Sequence, residues 1–177
     1  VTPYKADGMG CFPLDERRVL LVRNHELRLG DAARGAFGED QALAAKIDAK
    51  RAYGRYQDGR ILTGGTTTLV YDFKARRLER SHLSLAGTST NCAGGATPWG
   101  SWLTCEEIVR SAGAAPDGHM IDRSHGWVFE VPSREGGLAR LSILSSLRRA
   151  RRRRRSSCCR QAAPCWLRRS SDRPSAA

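Results

Sequence analysis

Every stretch of this chain that could build a core lies within its first 143 residues, and that partition bounds what it can fold into. Beyond Leu147 the only large apolar residues are Trp166 and Leu167, set in a run of Arg, Ser, Ala, Cys and Pro. Such a segment buries too little surface to offset the roughly 1–2 kcal/mol per residue that ordering a backbone costs. Residues 144–177 are therefore expected to be disordered, or the product of a shifted reading frame over GC-rich DNA. The net charge of +12 divides at the same place. Residues 1–143 carry 19 basic and 17 acidic side chains, whereas residues 144–177 carry 11 Arg and a single acid, Asp172. A terminal run such as Arg151 to Arg155 can bind nucleic acid or an acidic membrane by counterion release. A basic surface that recognises phosphate backbones is normally spread over a folded face, so no specific nucleic-acid partner is expected.

The first 143 residues read as mostly β. Val19 to Val22 is an aliphatic, β-branched run suited to a buried strand. Thr66 to Phe73 is rich in strand formers and follows Gly64 and Gly65. Leu83 and Leu85 alternate with polar residues in a partner strand, and further strands are expected at Ser101 to Cys105 and at Trp127 to Val131, the latter closed by Pro132. Between them the Gly-, Thr-, Asn- and Pro-rich stretch Gly87 to Gly100 reads as loop. One segment departs from this pattern: Glu39 to Tyr53, with Leu43, Ala44, Ala45, Ile47, Ala49 and Ala52, predicts a short amphipathic helix. Many short strands with Gly-rich turns define an all-β propeller, barrel or sandwich. No apolar run reaches the roughly 20 residues of a membrane helix, and the start of the chain has no signal-peptide pattern. The chain reads as an internal piece of a longer protein.

The chemistry is concentrated in the string from Asn91 to Glu107, where Cys92, Gly94, Gly95, Trp99, Trp102 and Cys105 lead to the carboxylate pair Glu106 and Glu107. A thiolate and carboxylates converging on one pocket suit a transition metal beside harder cations. Successive strand side chains point to opposite faces, so at most one of the two glutamates is expected to face a shared site. Cys92 is read as a ligand or a buried thiol, Cys105 as a core residue, and a Cys92–Cys105 disulfide stays open. Asp7 could coordinate a cation or cap a turn. His25 and His125 are read as hydrogen-bonding residues rather than ligands. No C-x-x-C spacing occurs among the six cysteines, which removes zinc-ribbon and thioredoxin patterns.

The 17-residue string resembles the signature region of the PhoX-type alkaline phosphatases. Asp7-Gly8-Met9-Gly10, Val22 to Glu26, Gly64 to Asp72 and His125 to Val131 follow in that family's order. The resemblance covers residues 1–143 and implies a partial β-propeller, several blades of a six-bladed parent, with a metal cluster that hydrolyses phosphomonoesters. It implies iron and calcium as cofactors, Cys92 as the iron thiolate, and Glu107 and Glu26 as metal-ligating carboxylates. The family's further acidic ligands, its phosphate-gripping arginine and its export signal have no counterpart here, so the chain is expected to be inactive as it stands. A periplasmic or secreted setting is expected of the parent. The rival readings are a propeller-fold calcium-dependent esterase or lactonase, a non-catalytic propeller scaffold, and a nucleic-acid binder acting through the basic tail.

Overall fold

The structure, a computed structural model, describes residues 2–134 and 136–146. Of residues 144–177, expected to be disordered, 144–146 belong to the strand Ile143–Ser146, and the rest lie outside the described residues. Two four-stranded antiparallel sheets make up the fold. The first is the meander β1 (Ala6–Pro13), β2 (Arg18–His25), β3 (Gly64–Asp72) and β4 (Arg77–Thr88), with its strands side by side in chain order. The second contains β5 (Asn91–Ala96), β6 (Ser101–Glu106), β9 (Trp127–Pro132) and β10 (Ile143–Ser146), again side by side in chain order. The two-residue strands β7 (Gly113–Ala114) and β8 (Met120–Ile121) form a small hairpin between β6 and β9. Among the described residues neither sheet closes on itself, and no helix is long and apolar enough to cross a membrane.

The two tight turns of the first sheet are built by the same device. Asp15 Oδ1 accepts from the backbone N–H groups of Arg17 and Arg18 at 3.0 and 2.8 Å. Asp72 Oδ1 accepts from those of Lys74 and Ala75 at 3.0 and 2.8 Å. An aspartate that satisfies the amides two and three residues ahead mimics a backbone turn. Arg17 then reaches Asp72 Oδ2 at 3.0 Å and ties the two turns together.

The sheets pack face to face over one apolar core. Phe12, Leu20, Val22, Val70 and Leu85 from the first meet Trp102, Phe129 and Val131 from the second, with Tyr53 beside them. Alternation along β2 decides which residues enter: Leu20, Val22 and Asn24 are buried, while Val19, Leu21 and Arg23 lie on the other face and are only partly covered. Asn24 is the polar clamp of this interface. Its Nδ2 donates to the carbonyls of Cys92 at 3.2 Å and Ala93 at 3.1 Å, and its Oδ1 accepts from Trp102 Nε1 at 2.9 Å.

Two sequence expectations are corrected. The helix expected at 39–53 is absent; the segment holds only the 3-10 turns Ala42–Lys46 and Ala49–Arg51. The apolar residues that mimic a helical stripe instead follow an irregular path, because Gln41 pairs twice with the backbone of Ile61. The chain is then drawn alongside β4, where Tyr53 and Gly54 donate to the carbonyls of Ala86 and Gly87 at 2.9 and 2.8 Å. The stretch Gly87 to Gly100 is not one loop either: it contains β5 and the last two residues of β4. Glycine supplies the reason. A Cβ on Gly94 would lie 2.0 Å from the carbonyl oxygen of Leu103 and 2.5 Å from the Trp102 ring, and one on Gly10 would lie 2.6 Å from the same ring. The indole is thus sandwiched between two bare backbone positions on different sheets, and β1 and β5 approach each other because neither has a side chain there.

Candidate metal centre

Three carboxylates gather where β1 begins, β2 ends and β6 ends. Ala6 pairs with His25 across the β1–β2 hairpin, and Glu26 N–H donates to Lys5 O at 2.8 Å, so Asp7 and Glu26 emerge next to each other. Glu107 is brought in by Thr90, the second of the two residues between β4 and β5. Thr90 N–H donates to Leu27 O at 2.8 Å, and its own carbonyl accepts from Glu107 N–H at 2.9 Å. One residue, Thr90, therefore ties the backbone of Leu27, next to Glu26, to that of Glu107. Thr90 does this with φ at 55° while almost completely buried, a left-handed conformation that is costly for a β-branched residue and persists only where surrounding structure imposes it.

The electrostatics report the crowding. The Glu26 carboxyl is held above its usual range, first by partial burial, then by a hydrogen bond shared with Asp7 and by the negative charges of Glu107 and Asp7; Arg28 opposes the shift. Repulsion among neighbouring carboxylates of this kind is relieved by a proton or by a cation. Carboxylate oxygens at a partly open surface are the donor set of a hard cation such as calcium, so in chemical type these residues fit one. Cys92 lies two residues beyond Thr90, on β5, as a buried thiol. Among the described residues no three His, Cys, Asp or Glu side chains stand close enough together to hold an ion as they lie. Of the ligands expected from the sequence, the structure thus brings Glu26 and Glu107 within electrostatic reach of each other, adds Asp7, and sets Cys92 on the adjoining strand.

Glu106 has a different task from its neighbour, as the alternation of strand side chains requires. Glu107 is exposed and Glu106 is wholly buried. Glu106 Oε1 accepts from His125 Nδ1 at 2.6 Å and from Ser89 N–H at 2.9 Å, and its Oε2 accepts from the N–H groups of Gly126 at 2.6 Å and Trp127 at 3.1 Å. Four donors on one carboxylate make a strut between the β4–β5 turn and the start of β9. Neither side chain of this Glu–His pair is exposed to solvent. Sequence reasoning missed that role; the only available signal was a pair of acids at a strand end, which does not say which is inside.

His25 is also structural. Its Nδ1 lies 2.9 Å from the carbonyl oxygen of Tyr4, which can only accept, so Nδ1 carries the proton and Nε2 accepts from Thr67 Oγ1 at 2.9 Å. Burial, opposed by the Tyr4 carbonyl and helped by the charge of Arg23, pushes its pKa down to about 4.

The fold is a pair of antiparallel β-meanders, with Asp7, Glu26 and Glu107 drawn near one another close to their junction. The family model described as alkaline phosphatase PhoX matches residues 1–141, and the chain belongs to that family. No curated protein and no solved structure matches it.

Proposed function

We propose that Asp7, Glu26, Glu107 and Cys92 form one side of the metal site of a phosphomonoesterase. The observation that carries this reading is the approach of Asp7 and Glu107 to Glu26, whose carboxyl is raised by burial, by its hydrogen bond with Asp7 and by both neighbours' charges, in a chain of the PhoX family. The carboxylates would hold calcium, and the Cys92 thiolate would hold iron. When bound, such cations neutralise phosphate oxygens and stabilise the charge of the displacement. The chain's own contribution is placement: Thr90 ties the backbone of Leu27, next to Glu26, to that of Glu107, Asn24 fixes the backbone at Cys92 and Ala93, and the Glu106 strut holds the end of β6. The two meanders would be consecutive propeller blades. Each runs through its four strands in chain order, and the first strands β1 and β5 pack against each other, as blades ranged around a common axis do.

The test is metal content alongside turnover. The full chain, loaded with ferrous iron and calcium, is expected to retain both metals after desalting. Cys92→Ala is expected to lose at least tenfold of its iron while keeping its calcium. A p-nitrophenyl phosphate assay on the same samples shows whether the chain turns over by itself. Iron retained in full by Cys92→Ala would remove the ligand role, and turnover of carboxylic esters without phosphate esters would favour an esterase.

A further inference from the structure

The outer face of the first sheet holds a cavity that the phosphatase reading does not use. Alternation along β2 and β3 sends Arg23, Thr67 and Leu69 to the side away from the second sheet. There the segment carrying Phe37, Leu43 and Ile47 crosses over them and over Ser81 and Leu83 of β4. Between the layers lies a cavity of about 440 Å³, within the range of small-molecule pockets.

Its lining is chemically lopsided. Phe37, Ile47, Leu69 and Leu83 supply an apolar wall, Ser81 a hydroxyl, His82 an imidazole, and Arg23 and Lys46 positive charge, with no acidic residue in the lining; the Thr67 hydroxyl is already given to His25 Nε2. Arg23 Nε has lost its contact with water and has no hydrogen-bond partner. Arg23 is only partly covered, but at Nε its guanidinium has given up hydration without gaining a partner. A planar anion restores the balance, because a guanidinium presents its N–H groups in a fork that matches a carboxylate or a phosphate.

We propose that this cavity is a binding site for an organic anion with a compact apolar body, of the size and character of a medium-chain carboxylate. The head group pairs with Arg23, with Lys46 at the rim, and the body lies against Phe37, Leu69 and Leu83. This reading is independent of the metal site and stands or falls separately from it.

Calorimetric titration of the full chain tests it with four probes: octanoate, octyl phosphate, inorganic phosphate and octylamine. Octanoate is expected to bind saturably at one site, at least tenfold more tightly than octylamine and than inorganic phosphate, while octyl phosphate ranks the two head groups. Arg23→Met is expected to weaken octanoate at least tenfold. Lys46→Glu, at an exposed position that leaves the sheets untouched, is expected to do the same by placing a like charge at the rim, and it keeps the test decisive if Arg23→Met does not fold. Octylamine binding as tightly as octanoate, or octanoate binding undiminished in Lys46→Glu, would overturn the proposal. Inorganic phosphate matching octanoate would also overturn it, since the apolar wall would then contribute nothing.

Discussion

At the scale of single residues, Glu106 and His25 show how polar groups hold this fold. Glu106 accepts two backbone N–H groups on Oε2. In Glu106→Gln, one of the two side-chain positions must present an NH2 to donors that have no other acceptor. The strut is then partly unsatisfied, and denaturant unfolding is expected to show a loss of about 3 kcal/mol. His25 makes stability pH-dependent. Its folded pKa of about 4 lies below the ~6.5 of an unfolded histidine. The unfolded chain therefore binds the proton first, and the contribution of neutral His25 is complete above about pH 6.5, falling as pH drops toward about 4. At full protonation the loss is about 3 kcal/mol. Glu26 works in the opposite sense, since its raised carboxyl favours folding as it takes up a proton. The His25 effect is therefore read as the difference between the parent chain and His25→Gln across this range. A difference that does not vary with pH would show that the imidazole is not kept neutral by the fold. The hydrogen-bonding character of both histidines was legible in the sequence. The burial of Glu106 was not, because a carboxylate reads as solvated until its four donors are seen.

At the scale of elements, strands built from β-branched and aliphatic runs were plain to read: β2, β3 and β9 lie where Val19, Thr66 and Trp127 place them. β5 was hidden because its signal is an absence. Gly94 disfavours a strand by propensity, yet its bare backbone is what admits the Trp102 ring. Gly94→Ala would put a methyl group against a carbonyl that cannot swing aside. Thermal or denaturant unfolding should show a loss of about 3 kcal/mol, with the tryptophan fluorescence of the folded state altered as the indole is pushed from its slot. Unchanged stability and emission would mean that β5 does not press on Trp102. The segment 39–53 misled in the other direction. Its alanines and spaced aliphatics satisfy a helical period, but Gln41 and Tyr53 are spent on backbone partners in distant segments, and short helices depend on tertiary packing for their stability.

At the scale of the molecule, β1 and β5 are the strands of the two meanders that approach each other most extensively, and that contact explains two sequence strings at once. Gly8 and Gly10 let β1 lie against β5 and Trp102, since a Cβ on Gly8 would stand 2.8 Å from the carbonyl oxygen of Cys92. The same contact carries Asp7 toward Glu26 and Glu107 and sets Cys92 on the adjoining strand. The spacing of the strings along the chain thus becomes one junction between two sheets. The proposed ligand set at this junction rests on residue types and family resemblance, whereas the role of Thr90 was invisible, because a backbone conformation leaves no mark on a threonine.

The account is tested most directly by anomalous X-ray scattering from crystals of the full chain grown with ferrous iron and calcium. It predicts an iron peak bonded to Cys92 Sγ and separate cation density between the carboxylates of Glu26 and Glu107. A bare Cys92 sulfur, with no cation at either carboxylate in metal-soaked crystals, would contradict it.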